Sequence, residues 1–267
     1  MKTKSRCPVV TAAAVIAFLA MILVNILANV LPIGGVTTAE AAAEYPNLFS
    51  PPGFTFAIWG VIYILLAAHV LYLLGLFRGK GETDEELLCR VGVLFAVSSV
   101  LNLLWIFAWH YELVPLSVLL MAGLLAVLLA IMRMLGGKKL TGREALFVKV
   151  PFGVYSGWIT VAAIANVTAL LVWLGWDGFG LSQPVWTVII LALGAVIGAV
   201  AAVRFRCVAY LLVFVWAYAG ILANHLMASG FAGEYPMVII AAAASLVLLF
   251  ASGVYILMGG RKKRGKR

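Results

Sequence analysis

The stretch at residues 88–135, LCRVGVLFAVSSVLNLLWIFAWHYELVPLSVLLMAGLLAVLLAIMRML, decides what kind of protein this is. It holds two apolar runs, 88–109 and 113–135, separated only by His110, Tyr111 and Glu112. Each run is long enough to cross a hydrocarbon core of about 30 Å at about 1.5 Å per helical residue. Working outward, similar runs occur at about 8–32, 53–77, 150–174, 184–203, 207–227 and 236–258. Eight membrane-spanning helices are therefore expected. The breaks between runs fall at proline, glycine and charged clusters, where backbone groups can meet water.

Composition agrees with that count. The chain is 65% hydrophobic and 11% charged, with a mean hydropathy of +1.12. Soluble domains carry about 25% charged residues, so a soluble fold would lack a surface. The expected class is an all-α polytopic bundle in a cell membrane.

The net charge of +9 invites a nucleic-acid partner, but the placement of the charges excludes one. All nineteen Lys and Arg fall at the N-terminus, in the second, fourth and sixth connections, or in the tail from Arg261 to Arg267. The opposite connections carry only acids: Glu40, Glu44, Glu112, Asp177 and Glu234. By the positive-inside rule both termini are cytoplasmic, and the basic tail is placed to meet anionic lipid. The first run exceeds the 7–15 residues of a signal-peptide core, so an uncleaved first span is expected.

No Asp, Glu, Lys or Arg sits deep inside a run, which counts against a pump or a carrier of charged solutes. His69, deep in the second run, is expected to be a neutral imidazole bonded to a neighbouring helix. His110 and His225 lie near the outer face without a second ligand at helical spacing, so no metal site is expected. Cys7, Cys89 and Cys207 have no metal-ligand spacing and read as free thiols near one membrane face. There is no Ser–His–Asp set, phosphate loop or pair of carboxylates. The expectation is a protein that is not an enzyme and has no obligatory cofactor.

Three spans each carry aromatic and amide groups on one helical stripe. The second presents Phe56, Trp59 and Tyr63, the third Asn102, Trp105 and Trp109, and the fifth Tyr155, Trp158, Ala162 and Asn166. Trp109, Trp173, Trp176 and Trp186 suit an interfacial belt near span ends. Trp59, Trp158, Asn102 and Asn166 sit deeper, where a bare amide is costly. One explanation is interhelical bonding, worth about 0.6 kcal/mol on average. Convergence of all three stripes would instead build a mostly apolar pocket with a few orienting polar groups.

These motifs resemble the TspO/MBR family of tryptophan-rich sensory or translocator proteins. YPNLFSPPGFTFAIWGVIYILLAAHVLYLL at 45–74 is similar to its second-helix signature, a proline-rich entrance followed by F-x-x-W and a downstream Tyr. SSVLNLLWIFAWHYE at 98–112 resembles its third-helix L-N-x-x-W stretch, and KVPFGVYSGWITVAAIANVTALLVWL at 149–174 its fifth-helix element. The resemblance covers residues 8–175 and implies a five-helix bundle, commonly a dimer, that binds a tetrapyrrole such as protoporphyrin, a sterol or a synthetic ligand. Carried over by position, Trp59, Asn102, Trp105 and Trp158 would line its cavity. Pro51 and Pro52 would shape the entrance beside Phe56, and Asn166 matches a family Asn. The chain departs from the pattern at Leu170, near where a further Trp is usual, and in an acidic first connection without tryptophans. About 90 residues also follow the bundle.

The expected organisation is a TspO-like membrane domain at 1–175 and a three-helix transmembrane extension with a basic cytoplasmic tail at 176–267. In the extension, Gly194 and Gly198 form a G-x-x-x-G, while Trp216, Tyr218, Asn224 and His225 decorate the seventh span. The expected function is binding or sensing of an apolar planar ligand such as a porphyrin. Phe56, Trp59, Tyr63, Asn102, Trp105, Tyr155, Trp158 and Asn166 are the ligand-binding candidates. Two alternatives are a facilitator or transporter of an uncharged lipophilic solute and a structural membrane partner subunit. The lipid bilayer and the ligand are the expected partners, with a homodimer allowed and nucleic acid excluded.

Overall fold

The computed structural model describes residues 7–31, 33–79 and 84–264. The basic residues Lys2, Lys4, Arg6, Lys80, Lys266 and Arg267 lie outside that range. Eight long apolar helices follow one another, as expected from the runs. They are α1 (Pro8–Val30), α2 (Ile58–Leu73), α3 (Glu85–His110), α4 (Val114–Gly136), α5 (Val150–Trp173), α6 (Gln183–Phe205), α7 (Val208–Leu226) and α8 (Pro236–Arg264). Among the described residues no strand interrupts them.

Local chemistry sets where the helices start. Proline occupies the first turn of α1, α4 and α6, where a missing N–H costs little. The Asp84 carboxylate accepts from Leu87 N at 2.9 Å and caps α3, so this helix begins before the apolar run does. Thr141 and Glu144 form a capping box ahead of a π-helical turn, Ala145–Lys149, that leads into α5. Before α2, Pro52 is extended and the chain enters through a 3₁₀ turn, Gly53–Ala57. Helix α8 runs past its apolar stretch into the basic tail, since Lys and Arg are good helix formers.

By backbone contacts the chain forms two compact units. The first comprises residues 1–41 and 59–156. In it α3 packs against both α1 and α4. Gly92 of α3 lets Val10 of α1 come close: a methyl group there would stand 3.0 Å from the Val10 side chain. Phe95 sits at its centre, 5.9 Å from the Phe18 ring and 5.6 Å from Phe152. The His69 ring packs edge-on to both Phe95 and Phe152, and its Nδ1–H donates to the Phe147 carbonyl at 2.9 Å. The expected bonded imidazole is therefore found.

The cysteine expectation is corrected in this unit. Cys7 and Cys89 form a disulfide with their Cα atoms 5.9 Å apart, tying the start of α1 to the first turn of α3. They are 82 residues apart in sequence, so only helix packing brings them together. Cys207 alone keeps a thiol, and it is buried.

The second unit comprises residues 42–58 and 157–267. Here α8 packs on α6 and α7. Tyr210, Phe214 and Tyr218 form a stacked ladder along α7, with centroid spacings of 5.4 and 6.3 Å. Gly194 and Gly198 of α6 make the notch that receives Tyr218 and Phe214. The Tyr218 hydroxyl donates to Leu191 O at 2.8 Å, and the Tyr210 hydroxyl bonds Thr160 at 2.8 Å. Lipid tails are as apolar as leucine, so small-residue notches and internal hydrogen bonds of this kind hold membrane helices together.

Candidate functional site

Five of the eight candidates lie in the first unit, and four of them gather round a buried polar chain. Asn102 of α3 is fully buried, and its Oδ1 accepts from Asn25 Nδ2 of α1 at 2.8 Å. The Tyr63 hydroxyl of α2 donates to Asn25 Oδ1 at 2.7 Å. Asn25 Nδ2 also donates to Met21 O at 2.8 Å. Three helices are thus joined by two side-chain hydrogen bonds. Trp59, one turn before Tyr63, stacks on it at 5.6 Å and 25°. Tyr155, fully buried at the start of α5, meets Trp59 edge-on at 6.2 Å.

The helices explain this placement. Residues four apart share a face, so Trp59 and Tyr63 stack along α2. Asn102 sits three positions before Trp105, which stacks on Trp109 at 5.9 Å and 16°. Trp109 was expected in the lipid belt; instead it is 6% exposed, and its Nε1 donates to Thr38 O at 3.4 Å. The first connection folds down over the end of α3 and covers it. His110 holds the same connection through Ile33 O at 2.9 Å and the Thr38 hydroxyl at 3.1 Å.

The remaining candidates belong to the second unit. Phe56, in the 3₁₀ turn, packs edge-on to Trp158 at 5.9 Å and 82°. Trp158 and Asn166 are both buried on α5.

The sequence reading missed Asn25. The signal was present, because an amide in the apolar run MILVNILANV raises the same question as Asn102 and Asn166. Once Asn25 is in place, Asn102 Nδ2 and the Tyr155 hydroxyl are left beside each other, short of strict hydrogen-bond geometry. The cluster contains no charged side chain. Among the described residues, no three His, Cys, Asp or Glu side chains come together as a metal site.

The arrangement is a neutral, aromatic-walled patch with a polar centre, set within membrane helices. Comparison with known proteins places it in context. The chain matches the family described as TSPO-like protein over residues 11–255, from α1 into α8. The match takes in the last three helices along with the five that carry the motifs. No curated protein and no solved structure matches the chain. With most of its length inside the family match, the chain belongs to the TSPO-like proteins.

Proposed function

We propose that this multi-pass membrane protein binds an apolar planar ligand of the porphyrin class and acts as a receptor or sensor, without catalysing a reaction. Family membership supports a sensory or binding role in the membrane. The observation that carries the finer reading is the Asn25–Asn102–Tyr63 chain with Trp59 and Tyr155 beside it. Aromatic faces suit a flat ring, giving large apolar contact at little conformational cost. Asn102 and the Tyr155 hydroxyl, side by side, suit a polar edge on that ring. The distribution of all nineteen Lys and Arg supports a membrane orientation with both termini in the cytoplasm.

The test is titration of the purified protein with protoporphyrin IX, followed by tryptophan fluorescence and porphyrin absorbance. Saturable binding is expected. Trp59→Leu and Asn102→Ala should each weaken it about ten-fold or more. Trp173→Leu, at the half-exposed end of α5, should leave it unchanged. Absence of saturable binding, or equal affinity in all three variants, would remove the porphyrin reading.

A further inference from the structure

The stretch from Leu48 to Thr55 leads straight into α2 with a few local bonds: Phe49 N–H donates to Asn47 Oδ1, Ser50 N–H to Asn47 O and Thr55 N–H to Pro52 O. Pro51 and Pro52 have no N–H, and Pro52 is extended. Three of the stretch's carbonyls take donors from outside it. They find them on α7. Trp216 Nε1 donates to Thr55 O at 2.9 Å, Asn224 Nδ2 to Ser50 O at 2.9 Å, and His225 Nε2 to Leu48 O at 2.9 Å. Aromatic contacts reinforce them. Phe54 packs edge-on to Trp216 at 6.2 Å, and Phe49 edge-on to Tyr218 at 6.5 Å. Between the donors, Gly220 leaves room for the Thr55 side chain, which a methyl group would overlap.

Trp216, Gly220 and Asn224 recur every four residues, so they form one stripe along α7. The helix offers donor, gap and donor to a segment that supplies carbonyl, side chain and carbonyl in the matching order. All of these residues lie within the second unit.

We infer that α7 is a strap for the segment that precedes α2: Trp216, Asn224 and His225 are positioning residues that fix residues 48–55, and the C-terminal helices thereby set how readily that segment is released. The side-chain bonds are neutral and few, so the segment can be released without unfolding α7. This gives the last three helices a role in the same protein that carries the motifs of the first five.

Amide hydrogen exchange of the unliganded protein in lipid nanodiscs tests it. Trp216→Phe and Asn224→Leu remove donors while keeping most of the bulk. Each should speed exchange of the amides at Phe49, Ser50 and Thr55 about three- to ten-fold, and the double variant should do so further. Trp186→Phe removes a comparable donor, the one on Gly178 O, and should leave these amides unchanged. Thermal midpoints identify any variant that fails to fold, in which case the single Trp216→Phe decides. Unchanged exchange at 48–55 overturns the strap. So does exchange that rises equally throughout the second unit, which would make these residues general packing.

Discussion

Asn25 uses both ends of its amide, donating to Met21 O and Asn102 Oδ1 and accepting from the Tyr63 hydroxyl. Asn25→Leu would take away the bonds that the buried Asn102 Oδ1 and the half-buried Tyr63 hydroxyl make to it. Interhelical hydrogen bonds in membranes are worth about 0.6 kcal/mol on average and up to about 1.7 kcal/mol. Losing both should destabilise the protein by about 1–3 kcal/mol in denaturant unfolding from mixed micelles. Asn29→Leu removes only a bond to the Asn25 carbonyl on the same helix, and should cost less than about 0.5 kcal/mol. Equal stability of the two variants would show that the polar chain holds nothing. At this scale the sequence was readable by chemistry and silent on partners. A deep amide announces itself, so Asn102 and Asn166 stood out and Asn25 could have. Trp109 could not be placed, because a tryptophan near a helix end looks the same whether lipid or a folded-back connection covers it. The Thr38 carbonyl that makes the difference is 71 residues away.

The α6–α7 pair carries a second lesson, at the scale of elements. The two helices turn about Arg206, which adopts the left-handed conformation at φ 47°. Gly198 and Phe214 are equally far from that turn in sequence, and so are Gly194 and Tyr218. In an antiparallel hairpin with a tight turn, equidistant residues face each other, so the glycine notch and its aromatic occupants could be paired from the sequence once the turn is fixed. The G-x-x-x-G spacing alone did not reveal them, because small residues are common in such helices. A methyl group on Gly198 would come within 2.5 Å of the Phe214 ring. Gly198→Leu should therefore push the helices apart and cost about 1–3 kcal/mol, read as a lowered thermal midpoint of the second unit. Gly136→Ala is the control. Its added methyl meets nothing within 4 Å, and alanine favours the helix by up to about 1 kcal/mol. A Gly198→Leu protein as stable as the unaltered one would mean that the ring does not occupy the notch.

Across the whole molecule, hydropathy alone predicted eight spans, and eight helices stand at those places. The family motifs were equally legible, although the match to TSPO-like proteins continues through the three helices that the motifs did not reach. Which helices touch was not legible, since lipid-facing and protein-facing apolar residues look alike. The disulfide follows from such a contact, and it bears directly on orientation. Cys7 begins α1 and Cys89 lies in the first turn of α3. An even number of crossings separates them, so both cysteines meet the same face as the basic connections. With that face in the cytoplasm, glutathione would keep the pair reduced in the cell and it would close only on oxidation. Alkylation of intact cells with a membrane-permeant maleimide before lysis should then tag two cysteines per chain, Cys7 and Cys89, and leave the buried Cys207 untouched until the protein is denatured. Omitting the alkylation should let the disulfide form in the lysate and protect both. An impermeant maleimide should reach Asp177→Cys from outside, and Lys139→Cys only after permeabilisation. The reversed orientation makes the opposite forecast on each count: Lys139→Cys labelled from outside, Asp177→Cys shielded, and the Cys7–Cys89 pair already oxidised in living cells. Thiol state and sidedness are therefore two independent readings of one topology, and they must change together.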